Sequence, residues 1–200
     1  MPMKVIRFLV FIALVLCCSA GYGQTTQMPF VFTLYGGLFF PSNIHFEDMY
    51  QSHSDLIWGG GVALPVEGSL YITADEAFFR TKAFVDPGLD SSASLAENFI
   101  HVGLLMKQPL SGGIFMRLMG GVNYVSVKQT FSSPNAPDIS QEAENKVGFF
   151  FGSGVEEMLS DQTASIFGDV VYDYRRSHEK ELEGDWGGVR IVLGVHLFLF

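Results

Sequence analysis

The sequence predicts an all-β chain, an eight-stranded antiparallel up-and-down transmembrane β-barrel. Three observations predict it. The chain is apolar overall, 48% hydrophobic over 200 residues with a mean hydropathy of +0.27. After the first twenty or so residues, however, it holds no continuous apolar run of the roughly 20 residues that a membrane helix needs. Finally, 22 Gly and 19 Phe favour strands and tight turns over helices. A chain that is apolar on average but never for long must alternate.

The N-terminus accounts for part of the hydrophobicity. Lys4 and Arg7 precede an apolar core, Phe8 to Cys17, and then the small-residue stretch Ser19-Ala20-Gly21-Tyr22-Gly23. This is the three-part layout of a secretory signal peptide. Residues 1–23 are therefore expected to be removed, leaving 24–200 as one barrel domain; cleavage after Ala20 is the alternative. Both cysteines, Cys17 and Cys18, fall in the leader, so the mature chain is expected to lack disulfides, thiolate catalysis and cysteine metal sites. Neither cysteine sits in a good lipoprotein context. Loss of the leader removes two basic side chains and leaves ten against 21 acidic, a formal charge of −11. That balance argues against nucleic acid as a partner.

Eight strand-like runs follow: Phe30 to Phe40, Trp58 to Leu64, Leu70 to Lys82, Asn98 to Gln108, Ile114 to Lys128, Lys146 to Leu159, Thr163 to Arg176 and Trp186 to Phe200. The breaks between them alternate in length. Short ones lie at 65–69, 109–113 and 160–162. Long, polar ones lie at 41–57, 83–97, 129–145 and 177–185. Three short turns and four long loops, with both termini on the short-turn side, match the layout of outer-membrane barrels. Most runs reach the roughly 9–11 residues of a tilted membrane strand.

Within the runs one face is apolar. Ile100, Val102, Leu104 and Met106 oppose His101, Gly103 and Lys107. Ile166, Val170, Tyr172 and Tyr174 oppose Ser165, Asp169, Asp173 and Arg175. Val189, Ile191, Leu193, Val195, Leu197 and Leu199 oppose Arg190, Gly194 and His196. In a membrane barrel the apolar face meets lipid and the charged face lines the lumen. Lys107, Arg117, Glu156, Asp169, Asp173, Arg175 and Arg190 are thus expected inside, paired as a structural plug, since eight strands leave a bore that side chains fill and an unpaired buried charge is costly. His101 and His196 are expected as packed polar residues of the lumen. Asp75-Glu76 and Glu156-Glu157 are adjacent carboxylates, so a regular strand must aim one of each pair outward; a bulge at Asp75-Glu76 would relieve this. Aromatic residues near the run ends, among them Tyr35, Phe39, Phe40, Trp58, Tyr71, Phe78, Phe79, Tyr172, Tyr174 and Trp186, suit interfacial girdles.

In order and spacing, the chain resembles the outer-membrane β-barrel family of OmpA-like and OmpX-like, "porin family" proteins. The resemblance spans residues 28–200. It is carried by Tyr35-Gly36-Gly37 leading to Phe39-Phe40-Pro41, by Gly59-Gly60-Gly61, and by Gly152-Ser153-Gly154-Val155-Glu156. Asp173-Tyr174-Arg175 and the closing Gly194-Val195 to Phe200 complete it. It implies a Gram-negative outer-membrane location, contact with outer-membrane lipid and lipopolysaccharide, and insertion by the barrel-assembly machinery through a terminal aromatic signal, here Phe198 and Phe200. The apolar register of the last run, on Leu193, Val195, Leu197 and Leu199, is one residue out of phase with Phe200. A peptidoglycan-binding domain is not expected.

Chemistry-bearing clusters are sparse. His45, Glu47, Asp48, His53 and Asp55 in the first long loop hold metal-ligating residue types, but at the density that any polar loop reaches. Ser177 and His178 in the fourth loop are a nucleophile and a base, yet a catalytic site needs rigid placement. The mixed charges from Arg175 to Glu181 suit a rim meeting lipopolysaccharide. No catalytic residue, metal or cofactor is expected. The expected role is non-enzymatic, structural or surface-interacting through four extracellular loops. A narrow channel for small solutes, a lipid A-modifying enzyme and a soluble periplasmic barrel are the alternatives.

Overall fold

The computed structural model describes residues 30–42, 46–50, 52–86, 91–133, 136–159, 163–177, 184–185 and 187–199. The proposed leader, His45 and Phe200 lie outside them. The strands are β1 (Phe30–Pro41), β2 (Asp55–Glu67), β3 (Leu70–Asp86), β4 (Ser91–Ser111), β5 (Ile114–Ser133), β6 (Ala136–Met158), β7 (Ala164–Tyr174), the two-residue β8 (Arg176–Ser177) and β9 (Gly184–Asp185), and β10 (Gly188–Leu199). A short helix, α1 (Phe46–Tyr50), follows β1. Eight strands close a ring in the order β1-β10-β7-β6-β5-β4-β3-β2, every pair antiparallel, while β8 and β9 form a separate two-stranded ribbon.

The stagger of the ring can be read from its register. One row of partners runs Leu34, Gly60, Glu76, Ile100, Tyr124, Val147. From Leu34 in the other direction it runs Val195, Ile166, Glu157. The two rows meet β6 at 147 and 157, so the shear is ten residues. With a rise of about 3.3 Å per residue and about 4.8 Å between strands, eight strands and this shear give a tilt of about 40° and a backbone radius of about 8 Å. Such a bore holds side chains and little else.

Tight turns sit at one end of the ring, with both ends of the strand circuit. Gly68 (φ 56°) lies in the β2–β3 turn, and Gly112 (φ 60°) and Gly113 (φ 85°) span the β4–β5 turn. Two successive left-handed residues make the hairpin geometry that matches the strand twist, and only glycine takes it without strain. We call this the turn end and the opposite one the loop end.

The faces are inverted relative to a soluble barrel. Leu56, Val147 and Leu193 point outward and are 67%, 73% and 70% exposed. Within the ring, Lys107, Arg117, Glu156, Asp169, Asp173 and Arg190, on β4, β5, β6, β7 and β10, point inward and are buried. Outward aromatics pair near the loop end, where Trp58 stacks on Phe78 at 4.7 Å and Phe149 on Tyr174 at 4.8 Å. Among the described residues about half of the expected girdle faces outward; Trp186 and Phe200 lie outside them. Tyr35, Phe39, Tyr71, Phe79 and Phe198 face the lumen, because each is an odd number of residues from an outward neighbour on its own strand or lies in the inward phase.

The boundaries also differ from the sequence pattern. Pro65 and Pro109 lie inside β2 and β4, each beside a register shift at the turn end where a missing N–H is tolerated. The expected loops at 83–97 and 129–145 are mostly strand. Beyond Phe79, the last β3 residue paired with β2, and above Phe149, the last β6 residue paired with β7, strands β3 to β6 continue as a four-stranded extension. Its polar, charged residues read as loop by composition, but their backbone groups are satisfied across the sheet.

The lumen is layered. At the loop end it is mostly apolar: Phe39, Phe79, Phe99, Leu95, Val125 and Val127 are fully or almost fully buried, with the carboxylate of Glu97, a row partner of Phe79 and Val127, and the guanidinium of Arg175 buried at this end too. Phe39 meets Phe79 and Phe99 edge-on at 4.9 and 5.2 Å. Helix α1 covers this layer with Phe46 and Tyr50. Gln129 Nε2 donates to Tyr50 Oη at 3.0 Å, and burial pushes the Tyr50 phenol above its usual range. The lumen is therefore not uniformly charged: the two larger ion clusters lie in the middle and at the turn end.

Candidate functional site: the charged layers of the lumen

Two ion clusters sit below the apolar layer. The one nearer the turn end is built on Glu156. Lys107 Nζ and Arg117 Nη1 each donate to it at 2.7 Å, one per oxygen, and Ser165 Oγ donates at 2.6 Å. Arg117 reaches on to Asp169 with Nε at 2.9 Å and Nη2 at 3.0 Å, a bidentate pair. His196 lies between the cations, with Nδ1 3.4 Å from Lys107 Nζ and Nε2 3.3 Å from Arg117 Nη1. Phe167 stacks under the Arg117 guanidinium at 4.3 Å, and Phe198 and Tyr71 flank the Lys107 ammonium at 5.3 and 5.0 Å.

The second cluster is built on Asp173. His101 Nε2 is 2.7 Å from its Oδ1, Asn123 Nδ2 donates to the same oxygen at 3.1 Å, and Arg190 Nε is 2.8 Å from Oδ2. The other His101 nitrogen, Nδ1, is 3.1 Å from Asp75 Oδ1. That oxygen also accepts from Tyr35 Oη at 2.6 Å, and Arg190 Nη1 donates to Tyr35 Oη at 3.2 Å. Both imidazole nitrogens face carboxylates, and only the doubly protonated ring carries a proton on each. With His101 charged, two cations balance two carboxylates here, as Lys107 and Arg117 balance Glu156 and Asp169 below.

The backbone makes room for these groups. A Cβ on Gly154 would lie 2.1 Å from Asp169 Oδ1 and from the Gly168 carbonyl. The glycine of the Gly152-Ser153-Gly154 stretch is what lets the Asp169 carboxylate cross to Arg117. A cavity of about 60 Å³ lies between the clusters, edged by Thr33, Tyr35, Asp75, Arg117, Asp169 and Arg190. Most of its wall is apolar, including Val62, Leu105, Met119, Phe150 and Phe167, with these polar groups at its edges.

Six of the seven lumen charges expected from the alternation take part in these contacts: Lys107, Arg117, Glu156, Asp169, Asp173 and Arg190. Arg175 is fully buried one residue past β7, two residues beyond Asp173 toward the loop end. Sequence reasoning did not include Tyr35, Asp75, Asn123 and Ser165 in the network, and it treated His101 and His196 as packing. A signal was present for each, since all lie in the inward phase of their strands. No bulge separates Asp75 from Glu76. Asp75 faces in, and Glu76 faces out, where it accepts from Asn98 Nδ2 at 2.8 Å. Glu157 is likewise the outward member of its pair, near the turn end. Phe198 is buried in the lumen beside His196, in keeping with the register on Leu193 to Leu199.

Among the described residues the remaining clusters do not assemble. His53 and Glu47 touch at 3.2 Å, both exposed. No group of three or more metal-ligating side chains gathers among the described residues. Ser177 pairs through its backbone with Gly184, and His178 lies outside the described residues.

No family model and no curated protein matches the sequence. Solved structures do match the fold. Neisserial surface protein A aligns with a TM-score of 0.54 at 10% identity, over 84% of this chain and 95% of that one. Ail, the attachment invasion locus protein of Yersinia pestis, solved with the heparin analogue sucrose octasulfate, aligns with a TM-score of 0.54 at 12% identity, over 84% and 96%. A major outer membrane protein of Thermus thermophilus aligns with a TM-score of 0.56 at 14% identity, over 85% and 99%. At such identities the likeness concerns the fold alone: the chain has the eight-stranded antiparallel up-and-down architecture of outer-membrane β-barrels.

Proposed function

We propose that the chain is a non-enzymatic barrel of the bacterial outer membrane that works at the cell surface through its loop end, with a lumen closed to solutes. The observation that carries the surface role is the extension of β3 to β6. It raises four strands past the last row of the ring and ends in the hairpins around 86–91 and 133–136. A protein whose task ended at the membrane would have no use for it. The outward apolar face supports membrane insertion, and the outer-membrane identity of the fold's neighbours supports the location. A short-turn end with both strand termini faces the periplasm in such barrels, which puts the extension outside.

Closure of the lumen is supported by its three stacked layers. The apolar layer under α1 and the two ion clusters lie across the bore, and the cavity between the clusters has room for only a few waters. Lipopolysaccharide and the barrel-assembly machinery are the partners this location implies.

Single cysteines test the orientation. Ser132→Cys in the extension should react with a membrane-impermeant maleimide on intact cells. Ser111→Cys at the β4–β5 turn should react only after the outer membrane is broken. Reaction of Ser111→Cys on intact cells, with Ser132→Cys protected, would overturn the surface reading.

A further inference from the structure

The outer face of the extension carries a basic group on a strongly acidic chain. Arg80, Ala96 and Lys128 are consecutive partners in one row across β3, β4 and β5, and Lys82, Ser94 and Thr130 are the next row. Arg80, Lys82 and Lys128 are exposed, while their inward neighbours Phe79, Thr81, Val127 and Gln129 are buried. The two rows therefore place three cations around a floor of Ala96 and Ser94. Arg80 and Lys128 stand two strands, about 10 Å, apart and Lys82 about 7 Å from Arg80 along β3. Side chains of this length are long enough to reach one bound group over a small-residue floor.

Height makes the group specific. Phe78, stacked on Trp58, marks the aromatic level at the loop end. At a tilt of about 40°, each residue climbs about 2.5 Å, so Arg80 stands about 5 Å and Lys82 about 10 Å above Phe78. That is where the phosphates of the outer leaflet lie, directly above the apolar band.

Among the described residues three carboxylates share the face, Asp138 standing four residues from Glu142 along β6. Glu76 lies below Phe78 and is bonded to Asn98. Glu142 touches Lys128 at 3.1 Å, an exposed pair of the kind worth about 0–1 kcal/mol, which a phosphate displaces readily. Charged side chains on an open strand also deter edge pairing. That explains charge on β3 but not Lys128, two strands in, nor why all three share a sign.

We propose that Arg80, Lys82 and Lys128 form a site for a phosphate of an outer-leaflet lipid, lipopolysaccharide by class. The site rests on the surface reading above. Binding of bis-phosphorylated lipid A to the detergent-folded barrel, followed by fluorescence with Trp58 as the nearby reporter, tests it. Wild type should bind this lipid about tenfold more tightly than dephosphorylated lipid A. Arg80→Glu/Lys82→Glu keeps charge on the β3 edge and should lose that preference. Glu142→Gln should strengthen binding, which keeps the test decisive if the double variant misfolds. Equal affinity for both lipids, wild-type binding by the folded double variant, or equal saturation by inorganic phosphate alone would each overturn the proposal. A boiled-versus-unboiled gel shift run beside it separates the failures: no shift indicts the barrel, and a shift without phosphate preference indicts only the site.

Discussion

Arg117 shows how a charge is kept inside this barrel. Its guanidinium makes one bond to Glu156 and two to Asp169, and its flat face lies on Phe167. Burying it costs several kcal/mol of hydration, which the two carboxylates offset only because every donor is aimed. Removing one partner therefore costs more than removing both. Arg117→Leu leaves Asp169 as a buried carboxylate without its cation and should destabilise the folded barrel by about 3–5 kcal/mol. Arg117→Met with Asp169→Leu should recover most of that loss. Urea unfolding followed by the fraction of compact, unboiled band on a gel checks both. A double variant no more stable than Arg117→Leu would mean that the pair itself stabilises the fold.

At the scale of elements, the interior is three layers in series: the apolar layer under α1, the Asp173 cluster and the Glu156 cluster. On the proposed closed lumen, each layer blocks the bore by itself. Wild type should be silent in planar bilayers, and so should Phe46→Ala/Tyr50→Ala, which loosens only the cap. Discrete conductance steps from wild type would contradict the closed lumen. The sequence made the ion layers legible, because Lys107, Arg117, Asp169, Asp173 and Arg190 each fall in mid-strand opposite an apolar face. It concealed the apolar layer, because Phe39, Phe79 and Phe99 look the same whether they face lipid or lumen; only the register decides. It also concealed the extension. Ser91 to Glu97 has only Ser92, Ser94 and Ala96 on its outward face and Ser133 to Glu142 is interrupted by Pro134 and Pro137, so the bulky apolar alternation that marks a strand in a membrane is missing. Asp75 was ambiguous for a related reason: which of two adjacent carboxylates turns inward depends on the phase of a whole strand.

At the scale of the molecule, ring size, shear and face polarity agree. Eight strands and a shear of ten give a narrow bore, the two ion clusters in it pair cations with carboxylates, and the outward face is apolar. A soluble barrel would need the opposite distribution. The outward band, from Leu199 and Ile114 at the turn end to the Trp58–Phe78 pair at the loop end, is about 25 Å tall at this tilt, the height of a membrane barrel's apolar belt. Electrophoretic migration of outer-membrane fractions, with and without boiling, tests this most directly. The unboiled chain should be recovered in that fraction and run as a compact, faster band that shifts on boiling. Recovery in the soluble fraction without detergent, or identical migration of boiled and unboiled samples, would contradict a membrane-spanning barrel.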